Sequence, residues 1–277
     1  MKKTVSILSL SYLIFMFLLM ASGMIGGILS GVIYFLAFAV PIIFALYADG
    51  RARIENEEPP IGDSLAYLRL EKKSVLPTLL TVFPTVLIVI GVSYVTSLII
   101  MITVGAQNEV DIGEDLFVAI LTHAFVPALL EEALFRYLPL RLFGNRNCRA
   151  AVLISSVFFA FSHHSLFSIP YAFIAGVIFM TVDLMFNSVY PSLIIHFINN
   201  VTSVLWIFYS DNGAFVKWYY ILLSALALVS VTIIAVLRKD FVSRFRNALA
   251  ARERYEVSYE PLLFILPCLI LALLELA

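Results

Sequence analysis

Long apolar runs, separated by short charged segments, set the pattern of the whole chain. "TVSILSLSYLIFMFLLMASG" (residues 4–23) is the first of them. A helix needs about 20 mostly apolar residues to cross the hydrocarbon core of a bilayer. Runs of this kind predict spans near 5–23, 28–48, 75–104, 116–138, 150–165, 170–187, 190–210 and 217–237. The third run is longer than one crossing needs. It holds Pro77 and Pro84, which predicts a tilt or a kink. A shorter apolar tail, 261–276, is either a ninth crossing or an interfacial segment. The predicted fold is therefore all-α: a polytopic transmembrane helical bundle of about eight spans, read as one integral membrane domain over 1–277.

Composition agrees with the pattern. The chain is 62% hydrophobic and 13% charged, with a mean hydropathy of +0.99. Soluble domains are about half apolar and about a quarter charged. A net charge of −1 gives no reason to expect a nucleic-acid partner. Two cysteines, Cys148 in a basic loop and Cys268 in an apolar run, form neither a disulfide framework nor a metal knuckle. The basic start, apolar run and small residues of the N-terminus also fit a cleaved leader. Topology favours a retained first span.

Lysine and arginine collect on the cytoplasmic side of membrane proteins. With the N-terminus inside, Lys2 and Lys3, the 49–74 loop, the 139–149 loop and the 238–260 loop are all cytoplasmic. They hold every Lys and Arg except Lys217 and Arg136. The loop 105–115, "GAQNEVDIGED", is acidic, carries no basic residue and falls outside. The mixed-charge loops 49–74 and 238–260 read as short interfacial helices beside anionic headgroups.

Against this background, charge within a span stands out. It costs roughly 2.5–3.5 kcal/mol per group on insertion scales. The fourth run contains "LLEEALFRY" (129–137). Glu132 and Arg136 are four residues apart and can neutralise each other across one helical turn. Glu131 then lies outside the pair, facing one residue away. His123, Pro127, Glu131 and Phe135, spaced by four, share a stripe. The fifth run ends "SSVFFAFSHHS", with Phe159 and His163 one turn apart and His164 following. The seventh contains "PSLIIHFINN", with His196 and Asn200 one turn apart and Asn199 beside them.

Taken one at a time, these groups have ordinary explanations. Glu132–Arg136 reads as a structural ion pair. His123 reads as a polar packing residue. Asp183 and Asn187 read as a polar pair near the end of the sixth run. Three runs that each supply an ionisable group point instead to a site. A glutamate with two histidines and an amide suits water activation by the carboxylate, with imidazole and amide groups holding the water and stabilising an oxyanion. One Glu and two His also suit zinc with an open position. There is no HExxH and no GxSxG.

At these residues the chain resembles the CAAX prenyl protease and bacteriocin-processing (Abi, CPBP) family of intramembrane endopeptidases. That family carries EExxxR, FxxxH and HxxxN (or D in place of N) on separate membrane helices. Glu131-Glu132 to Arg136, Phe159 to His163 and His196 to Asn200 match all three in order, within a core of about 116–210. Tyr137 departs from the pattern, since many members have Gly there; this bears on packing more than on chemistry. The resemblance implies that Glu131 activates water, His163 positions it, and His196 and Asn200 stabilise the oxyanion. Glu132, Arg136 and Phe159 are then supporting residues. It implies a membrane-associated peptide or a lipidated protein C-terminus as substrate, in the lipid bilayer. A short chain with little beyond the core reads as a protein of a bacterial cell membrane, and the depth of the groups reads as a site open to the cytoplasm. The reading here is of no tightly bound metal, with zinc on Glu131, His163 and His196 as the alternative. Two other functions fit a wet, charged bundle: a proton-coupled transporter, and a bacteriocin-immunity protein that only binds. No inverted repeat supports the transporter.

Depth along the helices leaves one discrepancy. At about 1.5 Å per residue, Glu131 lies roughly 10 Å from position 138 and His196 roughly 9 Å from 190. His163 lies roughly 20 Å from 150, which does not match them.

Overall fold

The computed structural model describes residues 2–57, 66–69, 75–103, 113, 115–143, 148–163 and 168–248. The segment 261–276, Cys268, His164 and most of the 105–115 loop lie outside the described residues, as do parts of the basic loops. Eight long helices follow the predicted runs: α1 (Lys2–Met24), α2 (Gly27–Glu55), α3 (Val75–Thr103), α4 (Leu116–Phe143), α5 (Cys148–Phe161), α6 (Ser168–Phe186), α7 (Tyr190–Tyr209) and α8 (Gly213–Ala248). Seven are long and apolar enough to cross a membrane. The exception is α5, whose 14 residues span only about 21 Å. Among the described residues no strand occurs, and the protein is an integral, all-α membrane bundle.

The charged loops are shorter than the pattern predicts. The helix α2 continues to Glu55 through Arg53, which pairs with Asp49 at 2.7 Å, and α8 continues to Ala248. The described stretches 49–55 and 238–248 of the predicted interfacial segments are thus extensions of membrane helices. Likewise α4 runs five residues past its predicted end, to Phe143.

Two compact units make up the chain. The first comprises Met1–Leu68 and Leu130–Met180, and the second Arg69–Leu129 and Thr181–Ala248. In the first unit, α1 and α2 form a hairpin that turns at Gly27, whose φ of +71° favours glycine. Ser22 and Ser30 close it by donating to each other's carbonyls at 2.9 and 2.8 Å. The core is aromatic. Tyr12 stacks on Phe135 at 5.2 Å and tilts over Phe158 at 4.3 Å, and Phe15 bridges Phe38 and Phe135. Each such pair contributes about 0.5–1.5 kcal/mol beyond its buried area. Gly176 of α6 meets α5 so closely that an added Cβ would stand 3.0 Å from Ser156 Cα. Small residues permit this kind of helix approach where lipid supplies no hydrophobic drive.

In the second unit, Asp115 caps α4 by accepting from Val118 N at 3.0 Å. Ala119, Ala124 and Val204 form a small core against Phe197, Val201 and Phe208. Asp183 is fully buried. Its carboxylate accepts from Ser192 N (3.0 Å) and Ser192 Oγ (2.7 Å), so it caps the first turn of α7. Asn187 takes a positive φ of 52° in the connection between the helices.

Candidate active site

The helix α4 is not uniformly α-helical. Residues Ile120–Phe125 and Ala133–Tyr137 are wound as π-helix. A π segment inserts extra residue per turn, misaligns carbonyls and recurs at functional sites. The second segment begins directly after Glu131 and Glu132. Its carbonyls take side-chain partners from other helices: Tyr12 Oη donates to Leu134 O at 3.4 Å, and Ser155 Oγ donates to Phe135 O. Backbone groups freed within a membrane must be satisfied internally, and these two side chains do so.

Arg136 is wholly buried. Its Nε lies 3.5 Å from Glu132 Oε2, so the predicted ion pair is present. Its Nη1 donates to Phe135 O (3.3 Å) and to Ser155 Oγ (3.4 Å). The guanidinium carbon lies 4.3 Å from the Phe159 ring centre and 5.3 Å from that of Phe179. One carboxylate, two acceptors and two aromatic faces thus hold the charge away from water. Glu132 and Arg136 tie α4 to α5, and Phe159 is the aromatic floor beneath the guanidinium.

Glu131 is half-buried, beside that pair but one residue around the helix. His163 stands just beyond the last turn of α5 and is exposed. Its Nδ1 lies 2.8 Å from Phe159 O. A carbonyl only accepts, so Nδ1 donates to it, and Nε2 is the ring nitrogen outside that bond. The ring packs edge-on against Phe159 at 4.9 Å.

The difference in depth between Glu131 and His163 narrows here. From the neighbouring ends Phe143 and Cys148, Glu131 lies about 18 Å along α4 and His163 about 22 Å along the line of α5. The two helices follow each other closely in the chain and run antiparallel. Phe135 meets Phe159 with ring centres 5.5 Å apart. Four residues outward from that contact lie Glu131 on α4 and His163 just past the end of α5. The 135–159 contact therefore brings 131 and 163 to similar levels.

In the second unit, α7 carries His196, buried, and Asn200, half-buried, one turn apart on one face. Asn199, also buried, donates from Nδ2 to Asn200 Oδ1 at 3.5 Å. The Asn199 carbonyl accepts from Thr202 Oγ1 (2.7 Å) and Ser203 Oγ (3.2 Å). His123 is exposed rather than packed, within the first π segment. The zinc alternative, Glu131, His163 and His196, divides between the two units. Among the described residues no three His, Cys, Asp or Glu side chains are grouped to hold a metal ion.

Ser155, Tyr12 and Phe179 were not among the residues singled out from the sequence. Ser155 carries a signal there, because Ser155, Phe159 and His163 are spaced by four on one stripe of α5. Tyr12 and Phe179 lie in runs whose pattern marks them only as apolar.

A family model described as Rce1-like, type II CAAX prenyl endopeptidase, matches residues 113–202. No curated protein and no solved structure matches the chain. The matched stretch contains Glu131, His163, His196 and Asn200, together with both π segments of α4.

Proposed function

We propose, from the likeness of residues 113–202 to the Rce1-like family of CAAX proteases, that the chain is an intramembrane endopeptidase in which Glu131 activates water. The observation that supports this reading is the Phe135–Phe159 contact, from which Glu131 and His163 each lie four residues away. A water between them donates one proton to His163 Nε2 as a hydrogen bond. It gives the other to the Glu131 carboxylate as its oxygen attacks the scissile carbonyl. His196 and the Asn200 amide supply donors to the oxyanion that forms. Protonated Glu131 returns its proton to the leaving amine as the C–N bond breaks, so peptide and water become acid and amine. Glu132 and Arg136 take no part in proton transfer and hold α4 against α5.

The substrate on this reading is a membrane-associated peptide, such as a lipidated C-terminus or a peptide precursor. It reaches the site from lipid, while water arrives from the cytoplasmic side marked by the basic loops. No step is routed through a metal. The test is cleavage of membrane peptides by purified, detergent-solubilised protein, with products identified by mass spectrometry. Glu131→Gln should remove cleavage while leaving the elution profile unchanged, and a variant cleaving at near wild-type rate would show the base to be another group. Stoichiometric zinc by elemental analysis, with activity lost to a chelator, would replace the metal-free scheme. Solute flux in proteoliposomes that Glu131→Gln abolishes, with no peptide cleaved, would favour a carrier.

A further inference from the structure

In the second unit, α3, α7 and α8 line an open cavity of about 410 Å³. One wall is aromatic, made of Tyr94, Trp206, Tyr219 and Tyr220. The Tyr94 and Tyr220 rings meet edge-on at 6.1 Å, and Tyr220 Oη donates to Tyr94 Oη at 3.3 Å. Trp206 lies 5.4 Å from Tyr219 and 6.0 Å from Tyr220. Polar residues line it as well: Ser93 and Ser97 from α3, and Asn199, Thr202 and Ser203 from α7. None of the lining residues is charged. Hydroxyl and amide groups are costly in a hydrocarbon layer unless something bonds to them. Thr202 and Ser203 spend their protons on the Asn199 carbonyl, which leaves their oxygens as acceptors facing the cavity.

The cavity is continuous with the face of α7 that carries the site. His196, Asn200, Ser203 and Ile207 follow one another at spacings of four, three and four, and so share one side of the helix. Asn199, which lines the cavity, donates to Asn200. A chain lying against His196 and Asn200 and following that side of α7 runs into the cavity.

We propose that this cavity is a specificity subsite that binds an uncharged segment of the peptide substrate, near the scissile bond. Its backbone amides pair with Ser97, Asn199 and Ser203, and a flat or apolar side chain lies on the tyrosine–tryptophan wall. A lysine, arginine or carboxylate in that place is excluded, because nothing there offers a counter-charge to offset desolvation. This subsite rests on the endopeptidase reading, but its test does not require cleavage.

Trp206 and Trp218 are the only tryptophans. In a Trp218→Phe background Trp206 reports alone. The probe is an N-acetylated, C-amidated neutral peptide carrying 3-bromophenylalanine, whose bromine quenches a nearby indole. Saturable quenching is expected, with at least about tenfold weaker binding when a neutral residue next to the brominated one becomes lysine. Ser203→Phe, which fills the cavity from α7, and Ser97→Phe, which fills it from α3, should each abolish the saturable component. Glu131→Gln should leave it intact. Quenching that is unaltered by both filling variants overturns the subsite, as does equal binding of neutral and lysine peptides. So does saturable quenching by a lipid with brominated acyl chains that the peptide fails to displace. If the wild type cleaves nothing yet shows the saturable, fill-sensitive quenching, the subsite stands and the hydrolase reading falls.

Discussion

Arg136 and Glu132 offer the sharpest energetic prediction. Their side chains are 0% and 2% exposed, 3.5 Å apart. Glu132→Gln deprives a buried guanidinium of its counter-charge but leaves its bonds to Phe135 O and Ser155 Oγ and its seat on Phe159. Breaking a buried pair from one side costs about 3–5 kcal/mol. The retained contacts place Glu132→Gln at the low end, about 3 kcal/mol. Arg136→Met takes the counter-charge from a buried carboxylate and also loses a desolvated cation–π contact of about 2 kcal/mol. It falls at about 5 kcal/mol or above. The double variant removes both charges and lays a thioether on the Phe159 ring, so it should cost only about 1–2 kcal/mol. Equilibrium unfolding in mixed micelles of rising sodium dodecyl sulfate fraction reads all three. The cycle should return a coupling of several kcal/mol. Additivity to within about 0.5 kcal/mol would refute the view that this pair is one electrostatic unit. Folded Glu132→Gln should still cleave peptide, unlike Glu131→Gln.

Other consequences are simpler to state. Asp183→Ala removes two bonds to Ser192 at the start of α7 and should destabilise by about 2–4 kcal/mol, with Asp183→Asn intermediate, in the same unfolding assay. Gly176→Ala should cost about 1–3 kcal/mol, and Ser156→Ala should not relieve it, because the nearest atom is Ser156 Cα. Burial raises the phenol of Tyr67 above its ordinary value of 10.0, with Cys148 adding to the rise and Arg141 opposing it. A raised acid is neutral in the folded state after it has ionised in the unfolded one. Its contribution is therefore full below pH 10 and is lost as pH rises beyond it. Tyr67→Phe should flatten the decline in stability above about pH 10.

The helical runs were legible because a bilayer demands length and apolarity, and both are visible residue by residue. The i, i+4 partners were legible for the same reason, as with Glu132 and Arg136. Three features were not. The π segments of α4 leave no periodic signature, since residues 120–125 and 133–137 are as apolar as their neighbours. The end of α4 at Phe143 was hidden by Pro139 and Arg141, which read as loop residues. Asp183 was matched to Asn187 on spacing, and its bonds to Ser192 run across a helix connection that no local pattern reveals. The shortness of α5 decided the geometry of the site. It ends at Phe161 and leaves His163 on the following turn, where its Nδ1 is committed to Phe159 O and its Nε2 is available.

Water activation by Glu131 requires that Glu131 on α4 and His163 just past α5 stand at one level, close enough to share a water. In a background of Cys148→Ser and Cys268→Ser, the pair Glu131→Cys and His163→Cys should be joined by a short bismaleimide in native membranes, with the linked peptides found by mass spectrometry. Joining of a Phe135→Cys and Phe159→Cys control pair, without any joining of 131 to 163, would contradict it.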